Sequence, residues 1–203
     1  SQLRFAEPGI INLYKDIPSN LSLDDTTSFV DNTFKFEKKI NLKGVKFKYT
    51  NSRDLIVKDL NLEIKNGDFV AIVGPTGSGK STILDILLGL LLPKAGELSV
   101  DGKKINVDNL RQWRTLIGYV PQQIFLTDDS IGQNIALGID KTDVDFDKIK
   151  MAAKKASLDD FVNTLPEKYN TLVGERGVRL SGGQRQRIGI ARALHHNPQV
   201  LFL

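Results

Sequence analysis

Two short segments carry residue types whose spacing suits phosphate chemistry. The first is Gly74-Pro75-Thr76-Gly77-Ser78-Gly79-Lys80-Ser81, which fits the pattern GxxxxGK[ST]. Glycines remove Cβ atoms, so backbone N–H groups can turn inward and wrap an anion. A helix opening near Lys80 aims its free N–H groups and the positive end of its dipole at the same anion. Lys80 then reaches the β- and γ-phosphates of a nucleoside triphosphate, and the Ser81 hydroxyl supplies a ligand for Mg²⁺. The second segment is Leu180-Ser181-Gly182-Gly183-Gln184, about a hundred residues later. Ser181 is a good N-cap for the helical pattern that follows, Ile188, Ile190, Ala191 and Leu194. Gly182 and Gly183 again bare the backbone at a helix start, which makes a second place ready for phosphate. Alone, that segment has a capped helix with a glycine turn as its plain alternative; paired with the first loop it is far more specific.

Such loops must be held by regular elements. Ile40, Leu42, Val45, Phe47 and Tyr49 alternate as in a strand, with Gly44 marking a bulge. Val57 to Ile64 gives a second strand, closed by a turn at Asn66-Gly67. Phe69 to Val73 is a continuous apolar run and predicts a strand buried on both faces, directly before the glycine loop. Ser81 to Leu91 predicts a helix ended by Pro93. Gly96–Val100 and Lys104–Val107 around Asp101-Gly102 predict a hairpin, and Ile117–Val120 another strand. Ser130 to Asn197 is mainly helical, with Ala152, Ala153, Ala156, Leu158, Phe161 and Val162 on one face, and Val200 to Leu203 begins a new apolar run. Before these, residues 1–17 predict a short helix after Pro8 that lies against something else, and residues 18–36 have the Ser/Thr/Asn/Asp composition of a linker.

Composition narrows the possibilities. The chain has 203 residues, 28 basic and 24 acidic, for a net charge of +4. A domain of that length buries roughly 70% of its unfolded surface. The longest apolar stretch, Ile86–Leu92, is broken by Gly89 and is far shorter than the roughly 18 residues a membrane helix needs. There is no cysteine, hence no disulfide framework and no Cys-based zinc site. His195 and His196 are adjacent, a poor metal pair, and are expected on the surface. Ser1–Asp16 lacks the basic start and apolar block of a leader. The basic pI of about 9.2 is a weak hint of a nucleic-acid or membrane surface, and +4 over 203 residues favours an ordinary, mildly basic soluble surface.

On these residues the chain resembles the nucleotide-binding domain of ATP-binding cassette (ABC) transporters, over about residues 37–203. Gly74 to Thr82 resembles the Walker A loop, and Leu180 to Gln184 the family signature without a departure. Gln122, in Tyr119-Val120-Pro121-Gln122, resembles the Q-loop glutamine, its place after the Ile117–Val120 strand favouring it over Gln123. Tyr49 sits where the family places an aromatic that stacks on adenine; strand-end packing is the plain alternative. The resemblance implies an α/β fold: a P-loop NTPase (RecA-like) core with an antiparallel β subdomain and a helical signature subdomain. Residues 37–118 with 198–203 would form the first part, and 119–197 the Q-loop and helical part. It implies ATP and Mg²⁺ as ligands. ATP would meet Tyr49, Gly74, Pro75, Thr76, Gly77, Ser78, Gly79, Lys80, Ser81, Thr82 and Gln122, together with Ser181, Gly182, Gly183 and Gln184. Mg²⁺ would meet Ser81 and Gln122, and catalysis would draw on Lys80, Gln122 and Ser181. Two domains, identical or not, would pack head to tail, with Ser181 and Gly183 touching the γ-phosphate held by the partner's Walker A.

The resemblance further implies an exporter, in which ATP-driven dimerisation moves membrane helices and Gln122 carries the ATP state to them. Thr171–Gly177 resembles the loop that exporter-type domains set against membrane helices; Glu175 and Arg176 match, whereas Leu172 departs from the usual acidic residue. Residues 1–17 then look like the tail of a membrane domain in the same chain, and 18–36 like its linker, at the cytoplasmic face of a membrane (the inner one in a bacterium). Gln123–Ile131 is similar to exporters of lipid-linked sugars, so a lipid, a lipid-linked sugar or a peptide is the expected cargo. The other class is a soluble ABC ATPase acting on nucleic acid or ribosomes, favoured by the pI and disfavoured by the N-terminal segment; no nucleic-acid partner is expected. Family members follow the last apolar strand with an Asp-Glu pair, whose glutamate polarises the attacking water. That pair is expected beyond Leu203, so residues 1–203 alone should have an incomplete central sheet, bind ATP weakly and not turn it over at family rates.

Overall fold

The computed structural model describes residues 34–50, 52–174 and 177–203. The expected N-terminal helix, most of the linker, and Glu175 and Arg176 lie outside them.

Strand β1 (Lys39–Phe47) pairs antiparallel with β2 (Val57–Lys65) on one side and β3 (Ala95–Val100) on the other, and β4 (Lys103–Lys104) completes the order β2-β1-β3-β4. The alternation in β1 buries Ile40, Leu42, Val45 and Phe47. The register slips between Leu42 and Val45, where Gly44 has φ +59°, as the broken phase predicts. Under this sheet lies α1 (Lys80–Leu87), whose Ile86 and Leu87 join Leu98, Val100 and Trp113 in one apolar core. Trp113, in α2 (Leu110–Thr115), is wholly buried and donates its indole N–H to the Leu87 carbonyl at 2.8 Å. That bond fastens the far end of α1 and therefore steadies the loop at its start.

The second core is helical. It gathers α3 (Ile131–Ile135), α4 (Phe146–Lys155), α5 (Asp159–Asn163) and α6 (Gly182–His195) around Ile131, Ile135, Ile149, Leu158, Val162 and Ile188. Ala152 and Ala153 are buried there as their spacing predicts. Strands β5 (Ile117–Tyr119) and β6 (Val200–Phe202) pair in parallel at the join. No helix among the described residues is long and apolar enough to cross a membrane.

Several expectations fail for tertiary reasons. Phe69–Val73 is not a strand: Phe69 and Val73 are fully exposed. A two-sided buried strand needs ladder partners, and among the described residues β5 and β6 pair only with each other. Helix α1 stops at Leu87, well before Pro93, because Gly89 at φ +69° turns the chain and Leu90 N–H bonds back to the Asp85 carbonyl at 2.8 Å. The hairpin strand β4 is only two residues long, since the Asn109 amide takes the Lys104 carbonyl and closes a turn instead. Phe34 and Phe36, at the end of the stretch with linker composition, are buried in the β core.

His195 corrects another expectation. It is buried at 7% exposure with neither ring nitrogen hydrogen-bonded to a described residue, while His196 beside it is exposed. Burial pushes the His195 pKa down; the charges of His196 and Lys148 push the same way, and Asp145 opposes them. A histidine depressed in the folded state takes up its proton more readily once unfolded. Its contribution is therefore intact above the unfolded value of about 6.5 and is lost as pH falls below it toward the folded pKa. The urea midpoint is expected to drop between pH 7.5 and 5.5, and His195→Leu to flatten that slope; equal slopes in both proteins would refute the assignment.

Candidate functional site

Gly74 to Ser78 form an exposed loop that ends on α1. Gly79 caps the helix at φ +89°, and a Cβ there would lie 3.1 Å from Ile56 Cγ2 and 3.3 Å from its carbonyl oxygen. Only glycine both adopts that turn and lets the loop approach so closely. The Lys80 ammonium donates to the Gly74 and Pro75 carbonyls at 2.9 and 2.8 Å, and Ser78 N–H to Pro75 O at 3.3 Å. The loop is thus a closed ring with a cation drawn into it. The first N–H groups of α1 have no intrahelical acceptor and are available to an anion. Ser81 is exposed in that first turn.

Tyr49, just past β1, belongs to the same cluster. Its hydroxyl shares a hydrogen bond with Thr82 Oγ1 at 3.3 Å, and its ring meets Phe47 edge-on at 5.1 Å. At 42% exposure it keeps a free face beside the loop. The Thr82 side chain itself is buried and bonded to the tyrosine.

The second cluster opens α6. Ser181 Oγ accepts from Gln184 N–H at 3.2 Å while Gln184 Oε1 accepts from Ser181 N–H at 2.8 Å, a reciprocal capping box. Leu180 is buried, whereas Ser181, Gly182 and Gly183 face solvent. Gln122 and Gln123 are exposed on the loop after β5. Among the described residues no hydrogen bond joins this cluster to the Walker A-like loop, and no group of three acidic or histidine side chains gathers to hold a metal ion. Leu172 is exposed in a lone bridge to Ser130.

A family model described as "ABC transporter" matches residues 57–203. The chain belongs to the ABC transporter family. Domains of this family bind ATP. The chain is 41% identical over 201 residues to ATP-binding cassette sub-family B member 5 of Mus musculus, covering 98% of this chain and 16% of that protein. It is 46% identical over 173 residues to a sophorolipid transporter of Starmerella bombicola, covering 81% and 13%. It matches a solved structure of a bacterial Atm1-family ABC exporter with ATP bound at TM-score 0.73 and 40% identity, covering 81% of this chain and 28% of that one. The fold of this ABC transporter domain is accordingly the α/β P-loop NTPase type, with antiparallel and helical parts and sheets that do not close. The chain spans only 16% and 13% of the length of those two curated relatives.

Sequence reasoning missed two residues near the site. Arg192 and Asn134 are joined by hydrogen bonds between α6 and α3. A signal existed: Arg192 stands four residues after Ile188 on the apolar stripe of α6, where a charge is out of place.

Proposed function

We propose that this chain is the ATP-binding and ATP-hydrolysing domain of an ABC exporter. The observation that carries the reading is the pair of glycine-bared helix starts in one chain, at Gly79 and Ser181, with no hydrogen bond between them among the described residues. Each offers half of an anion site, so a second domain packed head to tail completes two of them. Tyr49 would stack on adenine. Residues 74–82 would wrap the phosphates, and Lys80 would hold the terminal ones. Ser181, Gly182, Gly183 and Gln184 would close over the γ-phosphate bound by the partner. The residues fit Mg²⁺ as well: the Ser81 hydroxyl and the Gln122 amide offer the hard oxygen donors this ion prefers, and the ion would offset phosphate charge. Gln122 would carry the nucleotide state toward a membrane domain.

Residues 1–36 are proposed as the tail and linker of that membrane domain, and 37–203 as the nucleotide-binding domain with its parts at 37–118 with 198–203 and at 119–197. The place of work is the cytoplasmic face of a membrane (the inner one in a bacterium), and the cargo a lipid, a lipid-linked sugar or a peptide. Relatives named as transporters support this. The reading as an ATPase acting on nucleic acid gains only from the net charge of +4.

The test is Ser181→Asp in the full-length protein. Aspartate caps a helix as well as serine does, so α6 should persist. Its carboxylate would face the partner's triphosphate, so phosphate release from Mg·ATP should be lost while ATP affinity stays within about twofold. Full turnover in the variant would overturn the composite site.

A further inference from the structure

Helix α6 turns Gly189 and Arg192 toward the loop that follows Gln122 and buries Ile188 and Ala191 in the helical core. A guanidinium half-enclosed among apolar residues is costly unless its donors meet acceptors. Those of Arg192 do. Nε donates to the Asn134 carbonyl at 2.8 Å, Nη1 to the Phe125 carbonyl at 2.9 Å, and Nη2 to Asn134 Oδ1 at 3.3 Å. One rigid fork thus spans α6, α3 and the loop between β5 and α3. The neighbours of Phe125 are fastened too. Ile124 fills the notch at Gly189, where a Cβ would come within 2.5 Å of its Cδ1. Leu126 packs on Gly177, where a Cβ would come within 2.7 Å, just ahead of Leu180.

We infer that Arg192 is a positioning residue: it locks the Gln122 loop to the signature helix, so that Gln122 and Ser181 move as one body. The inference rests on the functional reading above only in what those two residues touch. Ile124 and Phe125 are held by the helix that begins with the signature, Leu126 rests on Gly177 just ahead of it, and Gln122 is two residues upstream of Ile124. A displacement of Gln122 is then delivered to Ser181 without slack. Lysine cannot replace the fork, because a single ammonium cannot reach both carbonyls in one plane.

Residues 1–203 contain no cysteine, so once any cysteine elsewhere in the full-length protein is replaced, spin labels placed by Gln123→Cys and Gln186→Cys, both exposed positions, report without background. In the full-length protein the distance between them is expected to be narrowly distributed and unchanged by Mg·ATP. Arg192→Met and Arg192→Lys should both broaden it. In each, kcat for ATP hydrolysis should fall by about tenfold or more while KM and ATP affinity stay within about twofold. Arg192→Lys keeps the charge and serves where Arg192→Met does not fold, with the melting midpoint as the check. An unbroadened distribution in a folded variant, an unchanged kcat, or a wild-type distance that shifts on adding Mg·ATP would each overturn the inference. A wild-type protein that binds no ATP would overturn the functional reading instead, and the width of the distribution would still decide the role of Arg192.

Discussion

Lys80→Ala is expected to weaken ATP binding by about ten- to a hundredfold. A hydrogen bond from a charged group contributes about 1.5–3 kcal/mol, and each 1.4 kcal/mol is about tenfold in affinity. The geometry says where that loss falls. The Lys80 ammonium has three donors, and two of them hold the Gly74 and Pro75 carbonyls. Those carbonyls belong to exposed residues, so removing the lysine lets water take them and costs the fold little, within about 0.5 kcal/mol. Binding suffers twice. The phosphates lose a cation, and the loop loses the two bonds that keep it curled before nucleotide arrives. Lys80→Arg should not restore affinity, since a planar fork does not fit a ring closed by a point charge. Titration with a fluorescent ATP analogue, with a melting curve alongside, checks this. An affinity within about twofold of wild type would remove Lys80 from the site.

What was legible in the sequence was local. The Walker A-like loop and the N-cap at Ser181 are each decided by a handful of neighbouring residues, and so is the bulge at Gly44; the reciprocal bond from Gln184 shows only in the structure. The illegible parts depend on residues far along the chain. Phe69–Val73 has the composition of a buried strand, yet composition states only what would bury it. Pro93 is a strong breaker by type, but Gly89 acts first because it lets the chain reverse against Leu110 and Trp113. His195 looks like half of a polar pair, but its place on α6 turns it inward. The contacts of Arg192 join residues 58 and 67 positions apart. Only the odd charge on an apolar stripe hints at them.

Asn134 offers the largest expected effect on stability. Its side chain is wholly buried. Nδ2 donates to the Thr127 and Ser130 carbonyls at 3.0 and 3.1 Å, and Oδ1 accepts from Thr127 N–H at 3.0 Å. Asn134→Ala leaves Thr127 N–H without its acceptor beside a small hole, while the Thr127 and Ser130 carbonyls keep the backbone N–H groups of Asp129 and residue 134 at 2.8 and 3.0 Å. A buried donor left unpaired costs about 1–3 kcal/mol, so a net loss of about that size is expected, as a lower urea midpoint with unchanged slope. Asn134→Asp should not rescue it. Aspartate keeps the acceptor for Thr127 N–H but sets a second oxygen against two carbonyls, a repulsion that the nearby Arg192 cation offsets only in part. Leu at this position fails for the same reason as Ala, since volume is not what the loop lacks. A change under about 0.5 kcal/mol in Asn134→Ala would mean that water satisfies the 127–130 turn. The turn would then stand without the Asn134 side chain, and Arg192 together with the Ile124–Gly189 contact would still hold the Gln122 loop to the signature helix.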